Sequence, residues 1–225
     1  MAIAGLDDLG EVHQLARRAL REVPGLLSAE FFTRTGLDVL AEHAGLAPPL
    51  PAPAYLLLEA AGPGAAEDLA ALAGDLPVAV GVSAAERARL WAYRERMPEA
   101  AGFLGVPLKL DVSVPAARWV RLAAEVTGVL RGVDPGATVI IYGHVADGNV
   151  HVNVVPAASA DGRHEEAVFG LVVSLGGSVS AEHGIGALKA PWFPLVRSDA
   201  ERELFTRIRS AFDLAGILNP HVLPR

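Results

Sequence analysis

The dipeptide Asp147-Gly148, at the centre of Gly143–Asn153 (GHVADGNVHVN), constrains the fold of this chain more than any other stretch. A two-residue type I′ turn needs positive φ at both central positions, and Asp-Gly is among the few pairs that accept it readily. With that turn, the spacing predicts an antiparallel hairpin over Thr138–Val155, in which Ala146 faces Asn149, Val145 faces Val150 and His144 faces His151. Side chains alternate along a strand, so Tyr142, His144, His151 and Asn153 share one face. Val150, Val152 and Val154 share the other, which must be the buried one.

The rest of the chain alternates apolar runs with helical patterns. A short run at Ile3–Leu6 leads into a helix over Leu9–Arg21, with Asp7 or Asp8 as its cap. A second helical stretch covers Thr33–His43, and Pro48, Pro49, Pro51 and Pro53 make Ala47–Ala54 a connector. Tyr55–Ala60 reads as a buried strand, Ala65–Ala73 as a helix and Val78–Val82 as a strand. Ser83, with Glu86 three positions on, forms a capping box for a helix over Ala84–Arg96. Beyond these lie a strand at Lys109–Val114, a helix at Ala116–Arg131, the hairpin, and a helix near His164–Leu175. Two C-terminal helices follow, around Gly186–Val196 and Asp199–Leu214. Strands separated by single helices, with one clear hairpin, predict an α+β fold: a mostly antiparallel sheet covered by helices.

Composition narrows the function classes. A formal net charge of −7 over 225 residues argues against a nucleic-acid or anionic-membrane binder, which needs a basic surface. The longest apolar runs, such as Tyr55–Ala61, are too short to span a bilayer. The absence of cysteine removes disulfides, thiolate nucleophiles and Cys-ligated metals, and with no secretory signal after Met1 it predicts a cytoplasmic chain. Of 19 basic residues only Lys109 and Lys189 are lysines. Lys and Arg differ in donor geometry and hydration, so these two positions suggest a need for a compact ammonium.

Opposed residues on an antiparallel pair have Cβ atoms about 4.5–5.5 Å apart, which suits two imidazoles sharing one metal. His144 and His151 are therefore candidate ligands. Gly176–Lys189 (GGSVSAEHGIGALK) supplies a candidate third, Glu182, on a short strand predicted over Ser178–Glu182. Two histidines and a carboxylate leave a fourth position open for substrate, as catalytic metal sites do. His183, adjacent and pointing elsewhere, is a candidate general base. If the hairpin does not form, Glu182-His183 is an ordinary surface turn. His164, among Arg163, Glu165 and Glu166, reads as a surface residue. Arg94, on the Leu90–Ala100 helix, and Lys109, opening an otherwise apolar strand, are candidate carboxylate contacts.

The segments AIAGLDDLGEV, LWAYRERMPEA, LKLDVSVP, GHVADGNVHVN, SAEHGIGALK and the closing AGILNP together resemble the C-terminal domain of the FAD-linked oxidases, over essentially the whole chain. That family includes D-lactate dehydrogenase, the D subunit of glycolate oxidase and D-2-hydroxyglutarate dehydrogenase. The resemblance implies a ferredoxin-like substrate or cap domain occupying residues 1–225, with the FAD-binding domain lying outside this chain. It matches His144, His151 and Glu182 to divalent-metal ligands, zinc in the hydroxyglutarate dehydrogenases, and His183 to the general base. Arg94, Lys109 and Asn153 match substrate contacts, and Asn219 matches a tail residue approaching the flavin. The implied reaction passes hydride from C2 of a D-2-hydroxy acid to FAD, with the flavin domain in cis or in trans; a homodimer is compatible with it. One departure is Ala146, where the family usually has Gly. Two other readings stay open: a stand-alone module that binds metal or 2-hydroxy acid without catalysis, and a metal-free flavoenzyme branch.

Overall fold

The computed structural model of the protein describes residues 1–156 and 162–222. Seven strands form one sheet in the order β4-β1-β3-β2-β6-β7-β5, and every neighbouring pair is antiparallel. They are β1 (Ala2–Leu6), β2 (Leu26–Thr33), β3 (Ala54–Ala60), β4 (Val78–Val80), β5 (Leu108–Ser113), β6 (Thr138–His144) and β7 (Asn149–Val155). Helices α1 (Leu9–Glu22), α3 (Ala65–Ala73), α6 (Trp119–Val133) and α7 (Arg163–Ser174) share an apolar core with one sheet face, which includes Phe31, Leu56, Val112, Val150 and Val152. On the other face α2 (Arg34–Ala44), α4 (Ala84–Glu95) and α5 (Met97–Phe103) pack over Ile3, Phe32, Tyr55, Leu57, Ile140 and Tyr142. The α+β reading is thus correct.

Local chemistry explains where elements begin. Asp8 caps α1 by accepting from the Glu11 amide at 2.8 Å, and α1 turns Val12, Leu15, Ala16 and Ala19 inward at helical spacing. Ser83 and Glu86 make the expected capping box on α4. Strand β2 escaped the sequence reading because its middle residues Ala29, Glu30, Phe31 and Phe32 are all buried, so no alternation marks it. Full burial of each such apolar side chain stabilises by about 1.5–3 kcal/mol.

Three expectations need correction. The hairpin forms, but its register is displaced by two residues: His144 pairs with Asn149, Tyr142 with His151 and Ile140 with Asn153. The connection is the four residues Val145–Gly148, and of Asp147 and Gly148 only Gly148 takes positive φ, 73°. The neighbouring strands impose this. The Val145 amide donates to the Ala29 carbonyl on β2, and the Val114 amide donates to the Gly148 carbonyl, so both residues are drawn out of the β6–β7 ladder. A displacement of two keeps side-chain parity, so the polar face survives. Second, Ser178–Glu182 is not a strand; Ser178 makes one isolated bridge with Ser113. Third, Gly186–Val196 is broken into α8 (Gly186–Lys189), a 3-10 turn at Ala190–Trp192 and α9 (Phe193–Val196), where Pro191 and Pro194 interrupt the helical hydrogen bonding. Helix α10 (Asp199–Phe212) follows.

The second sheet face is covered over β1, β3, β2 and β6 but left open toward β7 and β5. That uncovered end is where the polar residues gather.

Candidate active site

A cleft of about 450 Å³ lies there, lined by Arg94, Lys109, Asp111, Tyr142, His151, Asn153, Glu182, His183 and Lys189 together with Pro98 and Leu110. Another cleft of about 440 Å³, at the β4 end, is lined mainly by alanine, glycine, valine and leucine, with Arg87 its one charged side chain. The chemistry is in the first.

His144 and His151 are diagonal neighbours on adjacent strands rather than directly opposed, with ring centroids 5.5 Å apart. A buried carboxylate holds Nδ1 of each ring. Glu30 Oε1 lies 2.8 Å from His144 Nδ1, and Asp111 Oδ1 lies 3.2 Å from His151 Nδ1. Glu30 stands on β2 and Asp111 on β5, so the strands flanking the hairpin each orient one histidine. Carboxylates on Nδ1 turn Nε2 outward, as in carboxylate–histidine–metal triads. Nε2 of His144 lies 3.4 Å from Glu182 Oε1. One ligand atom from each of His144, His151 and Glu182 can be chosen so that all lie within 4.8 Å of one another. Tetrahedral zinc with bonds of about 2.0–2.1 Å sets ligand atoms about 3.3 Å apart, so this cluster would have to close somewhat to hold one small cation.

Electrostatics hold these groups in defined states. Burial raises the Glu30 carboxyl, but the His144 hydrogen bond and the Arg94 guanidinium outweigh it and keep Glu30 below its ordinary value. His144 is raised in turn, mainly by that bond to Glu30, against burial. Burial also raises Asp111, yet bonds from His151 and the Glu182 amide hold it far below the usual carboxylate range. Burial pushes the Tyr142 phenol up and the Lys189 ammonium down.

Glu182 and His183 sit on an irregular segment and are more open: their side chains are 48% and 72% exposed, against 8% for Glu30 and 10% for Asp111. His183 Nε2 lies 4.0 Å from Asp111 Oδ2. Asn149, at the start of β7, donates from Nδ2 to Glu182 Oε1. Arg94 donates from Nε to Glu30 Oε2 at 3.0 Å, and its guanidinium carbon stands 4.6 Å from the Tyr142 ring centroid. That leaves the remaining donors of its fork toward the cleft. Lys109 stands exposed on the edge strand β5, opposite Asn153. Asn153 is buried against the Tyr142 phenol, and its Nδ2 makes no well-aligned hydrogen bond among the described residues, a donor that a substrate oxygen would satisfy.

Seven of the eight candidate residues therefore come together: six of them line the cleft, and His144 adjoins it through Glu182. Asn219 does not line the cleft; it has φ 40° in the tail, where its carbonyl accepts from Arg209. His164 is wholly buried with Nε2 3.2 Å from Asp134 Oδ2, so the surface reading was wrong. Its acidic and basic neighbours in sequence face outward while one helix position turns in. Sequence reasoning missed Glu30, Asp111, Asn149 and Tyr142's contact with Arg94. Asp111 had a signal, an acid inside the apolar stretch LKLDVSVP, and so did Glu30, an acid before Phe31 and Phe32. Both lysines of the chain line the cleft.

An α+β domain that presents a two-histidine, one-carboxylate cluster beside cationic side chains is equipped to hold a small cation and an anionic ligand together. Residues 1–223 match the family model for FAD linked oxidases, C-terminal domain, and the chain belongs to that family. It is 32% identical over 237 residues to mitochondrial D-2-hydroxyglutarate dehydrogenase of Bos taurus, covering 98% of this chain and 43% of that protein. It is also 32% identical over 238 residues to D-2-hydroxyglutarate dehydrogenase of Xanthomonas citri pv. viticola, covering 98% and 49%. A D-2-hydroxyglutarate–pyruvate transhydrogenase of Saccharomyces cerevisiae matches at 30% over 244 residues, covering 96% and 49%. The chain thus spans somewhat less than half the length of these relatives. Among the described residues no helix is long and apolar enough to cross a membrane. The cattle protein's name places it in mitochondria, so the cytoplasmic expectation gains no support from it.

Proposed function

We propose that this chain is the substrate-side half of an FAD-dependent 2-hydroxy-acid dehydrogenase, working with a flavin-binding domain in cis or in trans. The observation that carries the reading is the convergence of His144, His151 and Glu182 with His183, Arg94, Lys109 and Asn153 around one end of the sheet. His144 and His151 through Nε2, and Glu182 through its carboxylate, would hold a divalent cation such as zinc, which supplies Lewis-acid polarisation of a hydroxyl and a carboxylate oxygen. The flavin supplies the hydride acceptor.

The chain's own groups divide the remaining work. Arg94 and Lys109 bring positive charge to a substrate carboxylate, Arg94 being held in place by Glu30 and Tyr142. Asn153 donates from Nδ2 to a substrate oxygen. His183, exposed at the cleft, accepts the proton of the 2-hydroxyl at an imidazole nitrogen. With Arg94, Lys109 and Lys189 all on the cleft, D-2-hydroxyglutarate, which carries two carboxylates and is named in the relatives, is the first substrate to test.

The test is metal content by elemental mass spectrometry on the untagged chain after dialysis. Close to one equivalent of zinc or manganese is expected, with loss of metal but an unchanged circular dichroism spectrum in His144→Ala and His151→Ala. Metal content unaltered in both variants would rule the site out. Replacing His183 by Asn, in the enzyme reconstituted with its flavin domain, should leave metal bound while lowering kcat by about 10²–10⁴-fold.

A further inference from the structure

The Glu182 segment is the least regular part of the site, yet it is fastened, and most of its fastenings run to one residue. Residues 179–185 form neither helix nor strand. The Ala181 amide donates to the Asp111 carbonyl at 3.3 Å, and the Glu182 amide donates to Asp111 Oδ2 at 3.0 Å. Lys189, at the far end of the loop, donates from Nζ to the same Asp111 carbonyl at 3.0 Å. The other carboxylate oxygen, Oδ1, lies 3.2 Å from His151 Nδ1. Asp111 is 7% exposed and lies on β5, opposite His151 in register.

We propose that Asp111 is a positioning residue that couples the strand-borne ligand His151 to the loop-borne ligand Glu182, setting the geometry of the metal site without touching the metal. This rests on the metal reading given above. Oδ1 occupies the Nδ1 side of the imidazole, leaving Nε2 for the metal, and Oδ2 pins the peptide that carries the Glu182 side chain. The Asp111 carbonyl, bonded to Lys189 and Ala181, closes the loop at both ends. Glu30 performs only the first of these tasks: it orients His144 and ties it to Arg94, but reaches nothing on the loop. Asn at position 111 retains one carbonyl oxygen. It can serve the imidazole or the amide, not both on separate oxygens as the carboxylate does.

The experiment titrates the purified chain with cobalt(II), whose visible d–d bands report coordination, in the wild type, Asp111→Asn, Glu182→Gln and His144→Ala. Asp111→Asn should bind cobalt about 10–100-fold more weakly. Its bands should move toward those of Glu182→Gln, a change that a loss of fold stability alone would not produce. In the metal-free wild type, nitrogen-15 NMR should find His151 protonated on Nδ1 and bare on Nε2, a reading that needs no variant. Wild-type affinity and bands in folded Asp111→Asn, or a His151 protonated on Nε2, would overturn the assignment to Asp111. If the wild type binds cobalt equally well with and without His144, the metal reading itself fails, and the role of Asp111 with it.

Discussion

His144 and His151 ride on strands paired on both sides, with their rings held by carboxylates that are nearly out of solvent. Glu182 and His183 ride on a segment with one bridge to the sheet and side chains half or more in water. The first pair is held by side-chain contacts out of solvent; the second is held through its backbone, with its side chains in water. On the proposed reading, a metal ligand that would share its ion with substrate and a base that would follow a proton gain from solvent-facing side chains, provided the strands supply a rigid reference.

The sharpest way to break this contrast is to cut the rigid half at its root. Glu30→Ala leaves Arg94 buried without its partner, and removal of one member of a buried pair costs about 3–5 kcal/mol. Urea denaturation of the metal-free chain should show a loss of that order. If the loss is below about 1 kcal/mol, the strand half is not the rigid frame described here.

Acid should act on the same half. Glu30 and Asp111 both have folded values below their ordinary ones, so their contribution is complete above the ordinary carboxylate range and is lost as pH falls below it through their folded values. His144 is raised, so its contribution has the opposite sign: present below its ordinary value of 6.5 and lost as pH rises past the folded value. The metal-free protein should therefore melt highest in mildly acidic solution, falling steeply below about pH 4 and gently above neutrality. Asp111→Asn should flatten the acid limb, and an unchanged limb would count against the cause given for its low value.

The smallest effect belongs to the loop half. Glu182→Ala removes a half-exposed carboxylate and the acceptor of the buried Asn149 amide, so the metal-free chain should lose only about 1 kcal/mol of stability. A loss comparable to that of Glu30→Ala would show the loop to be as structural as the strands.

How much of this could be read in advance follows the same division. The polar face of Tyr142, His144, His151 and Asn153 was legible from alternation alone, and it survived a register displaced by two because parity depends only on odd and even. The displacement was not legible: it comes from Ala29 and Val114, partners remote in the chain, drawing hydrogen bonds from the turn. Strand β2 and with it Glu30 were invisible because burial on both faces erases periodicity. Glu182 was found through its glycine-flanked motif, though placed on a strand that is only a bridge. Isolated acids in apolar stretches, Glu30 and Asp111, carried a signal of use that periodicity arguments do not weigh.

The hairpin brings the two histidines together across only seven positions of sequence, whereas Glu30 meets His144 across 114 positions. Contacts so different in loop length form at different times when a chain folds, the local ones first. The ring pair can therefore exist long before the rings are aimed, and a chain caught midway would hold both histidines loosely and take up any passing cation poorly. On the proposed reading, firm metal retention would be a certificate of completed folding, issued only after β2 and β5 have closed on either side of the hairpin.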